Sequence, residues 1–211
     1  MSEAVRPSRK QAGSESVKPP SGKQRLLEAA EKLFAEAGFL GVSAAQIAKE
    51  AGVAHGLLFH HFGSMEELYG EVSRVAADRM DAVQLQSFRG RTGREQISSF
   101  LRAHMRAVKQ RQGDAIFRAR ALDAAVGSTV SEIWEASRQR AIAKLCEVLG
   151  VAAPTRKVQL CLRAWIGFHD QLVLGWLRER ALTETEVLQW TLGQLDSLAT
   201  RVLQVDLDRE L

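Results

Sequence analysis

The sequence predicts an all-α protein of about nine helices, three short ones at the amino-terminal end and longer ones behind them. Three observations point there. Proline is nearly absent beyond residue 20: Pro7, Pro19 and Pro20 come early and Pro154 alone follows, so little forbids helix. Apolar residues recur at steps of three and four, and no alternating strand pattern competes with them. Finally, Ser or Thr with Gln or Glu three residues later marks successive helix starts: Ser21 with Gln24, Ser43 with Gln46, Ser64 with Glu67, and Thr183 with Glu186. This spacing lets each side chain satisfy a backbone donor that the first helical turn leaves open.

Taken in order, the first helix opens at Ser21, buries a stripe of Leu26, Ala30, Leu33 and Ala37 flanked by Leu27 and Phe34, and stops at Gly38, where a glycine suits a left-handed cap. Ser43 caps a short second helix whose Ile47, Ala48 and Ala51 face inward, and Gly52 makes the turn. A third helix covers about His55 to His61 with Leu58 and Phe62 as anchors. Ser64 opens a long fourth helix through Leu68, Val72, Val75 and Met80. Helices are then expected near 92–112, 114–125, 129–150, 155–180 and 184–207, separated by Gly-rich breaks, Pro154 and the Ala181-Leu182-Thr183 segment.

The 211 residues, 45% apolar and 26% charged, have the composition of a globular protein with a sizeable core. With no basic-then-apolar leader and no apolar run of about 18 residues, a cytoplasmic location without membrane contact is expected. Cys146 and Cys161 sit among apolar neighbours without metal-ligand spacing and read as small buried hydrophobes. No cofactor is expected.

Charge is unevenly placed. Residues 1–25 hold Arg6, Arg9, Lys10, Lys18, Lys23 and Arg25 against Glu3 and Glu15, and this accounts for the whole net charge of +4. Residues 1–20 are rich in Ser, Pro, Gly and Gln, a composition that does not order itself. They read either as a solubilising tail or as an arm that pairs with DNA phosphates or enters a minor groove.

Helices two and three, joined through Ala51-Gly52-Val53, make a helix-turn-helix over about 43–62. Its second helix can offer an outer face to a major groove about 12 Å wide. Ile47, Ala48, Val53, Leu58 and Phe62 hold the unit together. Candidate contacts to DNA are Lys23, Arg25, Ser43, Gln46, His55, Gly56, Leu57, His60 and His61: cations and amides for phosphates, imidazoles for base edges or phosphates, and Leu57 for a thymine methyl. Three histidines with no carboxylate or thiol at ligand spacing are a poor metal site, and no metal is expected.

The run from Arg25 to Phe39 (RLLEAAEKLFAEAGF), then Ile47-Ala48-Lys49-Glu50-Ala51-Gly52-Val53, Gly56, Leu58-Phe59-His60-His61-Phe62 and Glu66-Glu67-Leu68 resembles the amino-terminal domain of the TetR family of bacterial transcriptional regulators over about residues 21–72. The resemblance implies an all-α homodimer, a palindromic operator, and release of DNA when a small molecule binds the second domain. It also exposes departures. Ala54, Leu57, Phe59, Ala45 and Met65 stand where the family usually has Ser, Thr, Tyr, Arg and Lys, and each removes a polar contact to the duplex. Either the basic arm supplies the missing phosphate contacts, or the affinity for DNA is weak.

The domains expected are therefore a disordered basic arm (1–20), a helix-turn-helix domain (21–70) and a ligand-binding and dimerisation domain (71–211). In the last, Cys161, Trp165, Phe168, Leu172 and Trp176 form one broad apolar face, and Leu188, Leu192, Leu195, Leu198, Val202 and Leu203 another. Doubling these final two helices about a two-fold axis gives a four-helix dimer interface. Polar residues within apolar stripes mark the candidate effector pocket: His104, Arg118, Arg120, Asp123, His169 and Asp170, with Trp134 and Trp165 as walls. No nucleophile, oxyanion loop or metal triad accompanies His169-Asp170, so no enzymatic activity is expected. The function read from the sequence is a ligand-responsive DNA-binding repressor; the alternative is a degenerate ligand-binding helical dimer with weak or non-specific DNA affinity.

Overall fold

The structure is a computed structural model that describes residues 20–110 and 128–210. The expected helix at 114–125, with Arg118, Arg120 and Asp123, lies outside the described residues, as does the arm through residue 19. Within them the chain forms eight α-helices: α1 (Gly22–Ala37), α2 (Ala44–Glu50), α3 (Gly56–Phe62), α4 (Met65–Leu85), α5 (Gly93–Gln110), α6 (Ser128–Val148), α7 (Arg156–Leu174) and α8 (Glu184–Leu198).

The caps hold the boundaries to within a residue or two of expectation. Ser21, Ser43, Ser64 and Thr183 each accept the backbone N–H three residues on. The reciprocal half of the capping box forms at Ser43 and Thr183. At the Thr183 cap the same hydrogen bonds hold the Glu186 carboxyl below the usual carboxylate range. At α1 the Gln24 side chain turns away and donates to Glu28 instead. Gly38, at φ 72°, ends α1, and a 3-10 turn at Phe39–Gly41 carries the chain into α2. Ala37, expected on the buried stripe, is exposed because the helix ends there; Ala29 takes its place in the core.

The two carboxy-terminal helices stop short of the expected ends. α7 and α8 run on into single π-helical turns, Gly175–Glu179 and Ala199–Leu203. Each finishes on a left-handed residue, Arg180 at φ 52° and Gln204 at φ 54°. The wider turn lets the N–H of Arg180 reach the Gly175 carbonyl and closes the helix without a glycine.

Two apolar clusters form the interior. The first joins α1, α2, α3 and α4 through Leu26, Phe34, Ile47, Leu58, Phe62 and Leu68, and continues into the larger domain through Met80, Met105, Trp134 and Val173. The second lies among α5 to α8, around Ile97, Leu101, Leu145, Leu162, Trp165 and Leu195. Leu207 seals its edge. There the Arg94 backbone N–H donates to the Leu207 carbonyl at 2.9 Å, while its guanidinium pairs with Asp196 and Asp208, both at 2.7 Å. The hydrogen bonds from Arg94 hold the Asp208 carboxyl below its ordinary value.

Leu145 has no exposed surface, so Leu145→Ala should lose about 2–5 kcal/mol of stability in urea denaturation, whereas the exposed cap change Thr183→Ala should lose about 1 kcal/mol.

Candidate nucleic-acid interface and effector cavity

The helix-turn-helix is assembled by apolar side chains that leave one face of α3 outward. Leu58 is fully buried and Phe62 nearly so, and both pack into the core shared with Leu26 and Ile47. His55, Gly56, Phe59, His60 and His61 are exposed. The turn depends on Gly52, whose φ of +63° disfavours a side chain.

The structure separates the sequence candidates into two kinds. Lys23, Arg25, Gln46, His55, Gly56, His60 and His61 lie on the exposed surface, and Leu57 is half-buried. Lys23 sits 5.5 Å from the centre of the Phe62 ring, where the ring face attracts the ammonium without burying it. Gln46 uses its carbonyl oxygen to accept both the N–H and the hydroxyl of Ser43 at 2.8 Å, so its amide nitrogen is the donor left for a partner. Ser43, although exposed, is tied into that cap.

Arg25 and Leu57 have structural work. The Arg25 guanidinium donates to the Gly52 carbonyl at 3.4 Å, bracing the turn from α1. Leu57 is half-buried and packs with the core; a Cβ built on Gly22 would stand 2.9 Å from its tip. Leu57 therefore packs between α3 and the start of α1 on one side and keeps part of its surface exposed. Two ion pairs, Lys32 with Glu50 at 2.6 Å and Arg79 with Glu31 at 2.8 Å, tie α1 to α2 and to α4. Hydrogen bonding to Glu50 holds the Lys32 ammonium above its ordinary value.

The second candidate site is a cavity among α4, α5, α6 and α7. It brings together five of the residues read from the sequence, His104, Trp134, Trp165, His169 and Asp170. Arg118 and Asp123, outside the described residues, cannot be placed against it. Sequence reasoning missed Met80, Gln84, Ser137 and Arg138, which also line it. The signal available for Gln84 was a polar residue at apolar spacing from Met80.

Its polar groups are held from behind. Gln84 of α4 hydrogen-bonds Nδ1 of His104, whose Nε2 lies 3.7 Å from Asp170 Oδ1. Nδ1 of His169 meets Thr191 Oγ1 at 3.0 Å, and that hydroxyl donates to the Val187 carbonyl at 2.7 Å. With its proton committed, the Thr191 hydroxyl accepts from the imidazole Nδ1–H. Trp165 Nε1 donates to the Thr191 carbonyl at 2.9 Å. Arg138 donates to Glu135 at 2.7 Å. Partial burial acts to raise the Glu135 carboxyl, but hydrogen bonds from Gln139 and Arg138 and the charge of Arg163 outweigh it and hold the group below its usual range. Beside the cavity, buried Asp81 of α4 accepts from Ser137 and Arg140 of α6, each at 2.6 Å. The enclosed space is about 30 Å³, room for no more than a water or two.

Among the described residues no three His, Cys, Asp or Glu side chains group as metal ligands, and no helix is long and apolar enough to cross a membrane. Cys146 is buried and Cys161 half-buried, both as free thiols, and burial pushes the Cys146 thiol up.

Among the described residues the chain is built of helices, with a helix-turn-helix whose second helix is exposed set on a larger helical domain. Residues 26–72 match the family described as bacterial regulatory proteins, tetR family. The HTH-type transcriptional repressor AcnR of Corynebacterium glutamicum is 31% identical over 111 residues, covering 50% of this chain and 59% of that repressor. The HTH-type transcriptional repressor Rv3405c of Mycobacterium tuberculosis is 42% identical over 59 residues, covering 26% of this chain and 31% of that protein. The chain thus matches less than two thirds of either relative. A tetR-family transcriptional regulator from Streptomyces coelicolor superposes with a TM-score of 0.75 over 87% of this chain and 84% of its own, at 23% identity. The fold therefore extends well beyond the matched domain.

At Gly52 the nearest atom to an added Cβ would be Arg25 Nη1, 3.7 Å away, so space is not the obstacle. Gly52→Ala should still lower stability by about 1–2 kcal/mol from the left-handed backbone alone, read as a lowered urea midpoint at unchanged slope.

Proposed function

We propose that the protein is a ligand-responsive, DNA-binding transcriptional repressor that binds a palindromic operator as a homodimer and is released by a small molecule. The observation that carries this reading is the exposed α3 face on a helix-turn-helix whose sequence matches the TetR family. The names of the relatives, both transcriptional repressors, support it.

In this reading α3 enters the major groove and α2 lies across the backbone. Gln46, His60 and His61 take phosphates or base edges, with Ser43 orienting Gln46. Gly56, where an added Cβ would meet nothing within 4 Å, lets the α3 backbone come close to the duplex. Lys23 and the basic arm pair with phosphates, and Arg25, exposed and with donors beyond the one that reaches the Gly52 carbonyl, joins them.

The dimer would form through α7 and α8. Leu160, Phe168 and Trp190 on these helices are among the most exposed large apolar side chains, Leu160 at 65% and Trp190 at 50%. A second copy covering them follows the rule that large wet apolar faces mark contacts. The effector would enter the cavity at His104 and His169. Since that space is small, binding spreads its walls, and Met80, Gln84 and Asp81 carry the displacement into α4, on which the helix-turn-helix packs. Coupling of this kind is typically about 1–3 kcal/mol.

Gel shifts of the full chain on DNA flanking its own gene, at two salt concentrations, test the reading. Specific DNA should be retained at the higher salt while random DNA is released; equal binding of both at each salt would leave only the degenerate ligand-binding dimer. Deleting residues 2–19 should flatten the salt dependence, because each lost phosphate contact reduces the slope by about 0.9. The double change Leu160→Glu and Trp190→Glu should yield a monomer in light scattering, with loss of operator binding.

A further inference from the structure

One feature of α3 is not used by phosphate pairing. Phe59 stands 42% exposed, while the other aromatic ring anchoring the helix, Phe62, and its neighbour Leu58 are buried in the core. The Phe59 ring meets the His55 imidazole edge to face, with centres 5.4 Å apart and planes at 65°. His55 is one turn earlier on the same helix flank, so the pair fixes the ring's direction. Gly56, one turn before it on the helix and exposed, carries no side chain. The ring therefore rises from the recognition helix as an apolar projection.

Phenylalanine has no donor, so this ring adds nothing at a phosphate. In the major groove the apolar group offered by a base edge is the C5-methyl of thymine. Leu57, the other apolar candidate, is turned into the contact with Gly22. We propose that Phe59, positioned by His55, is a specificity-determining residue that reads the C5-methyl group of one thymine in each operator half-site. This rests on the reading of the chain as a sequence-specific DNA-binding protein. It replaces part of the polar recognition absent at Ala54 and Leu57 by an apolar contact.

The test begins with sequences enriched from random duplex by the full chain. Each thymine of the enriched half-site is then replaced in turn by deoxyuridine, which lacks only the methyl. At one thymine the wild type should lose about fourfold in affinity, the worth of one methyl group withdrawn from water. Phe59→Ala, a change at an exposed ring checked for an unaltered melting curve, should bind the thymine operator more weakly and be indifferent to the methyl at that position. Phe59→Tyr should keep the sensitivity. Enrichment with no methyl-sensitive thymine, or a sensitivity undiminished in Phe59→Ala, overturns the assignment while leaving DNA recognition intact. If no sequence is enriched, specific recognition fails and the assignment fails with it.

Discussion

The buried face of α4 is shared by two different neighbours, and the rest of the structure is arranged around that sharing. At its start Leu68 and Tyr69 pack into the helix-turn-helix core, Tyr69 lying edge-on to Phe34 with ring centres 5.0 Å apart. Three turns on, Met80 and Gln84 line the cavity and Asp81 bonds across to α6. An α-helix transmits position along its axis because its backbone hydrogen bonds are all internal. A single rigid element therefore touches both the recognition unit and the polar cavity. The Arg79–Glu31 pair fastens α4 to α1 between those two ends.

The polar groups of α4 explain why the cavity is ordered without being empty space. Burying Asp81, Gln84, His104 and His169 carries a desolvation cost that hydrogen bonds from Ser137 and Arg140, between Gln84 and His104, and from His169 to Thr191 offset. Such a network has a narrow set of satisfied arrangements. An apolar lining would tolerate small shifts of α4; this one responds to them by breaking specific bonds. The same logic holds at the carboxy terminus, where Arg94 fixes the tail against α5 and α8 through Asp208 and Asp196.

The recognition unit shows a different division of labour. Its interior resembles that of the family, while Ala54, Leu57 and Phe59 leave its surface without a hydroxyl at those positions. The two basic groups at the start of α1 are both exposed, Lys23 beside Phe62 and Arg25 with one donor on the Gly52 carbonyl. The identity of a cation near a helix start does not say whether a backbone carbonyl or a phosphate will claim it. That depends on how close the next turn comes.

Helix positions were legible because they follow from local chemistry: capping residues, Gly38 and Gly52, and apolar spacing all act within a few residues of themselves. The helix-turn-helix was legible for the same reason, as were His104, Trp134, Trp165 and His169 as polar or aromatic interruptions of apolar stripes. The π-helical ends of α7 and α8, the inward turn of Leu57, the bracing role of Arg25 and the bonds of Asp81 and Gln84 were not. Each depends on a partner far along the chain: Leu57 on Gly22, Arg25 on Gly52, Asp81 on Ser137 and Arg140, Gln84 on His104. The sequence by itself determined which segments are helical, which faces are apolar and which family the first domain resembles. Only the tertiary structure decided which polar side chains face inward to one another and which remain for a partner, because that choice is made by distances between helices and not by spacing along one.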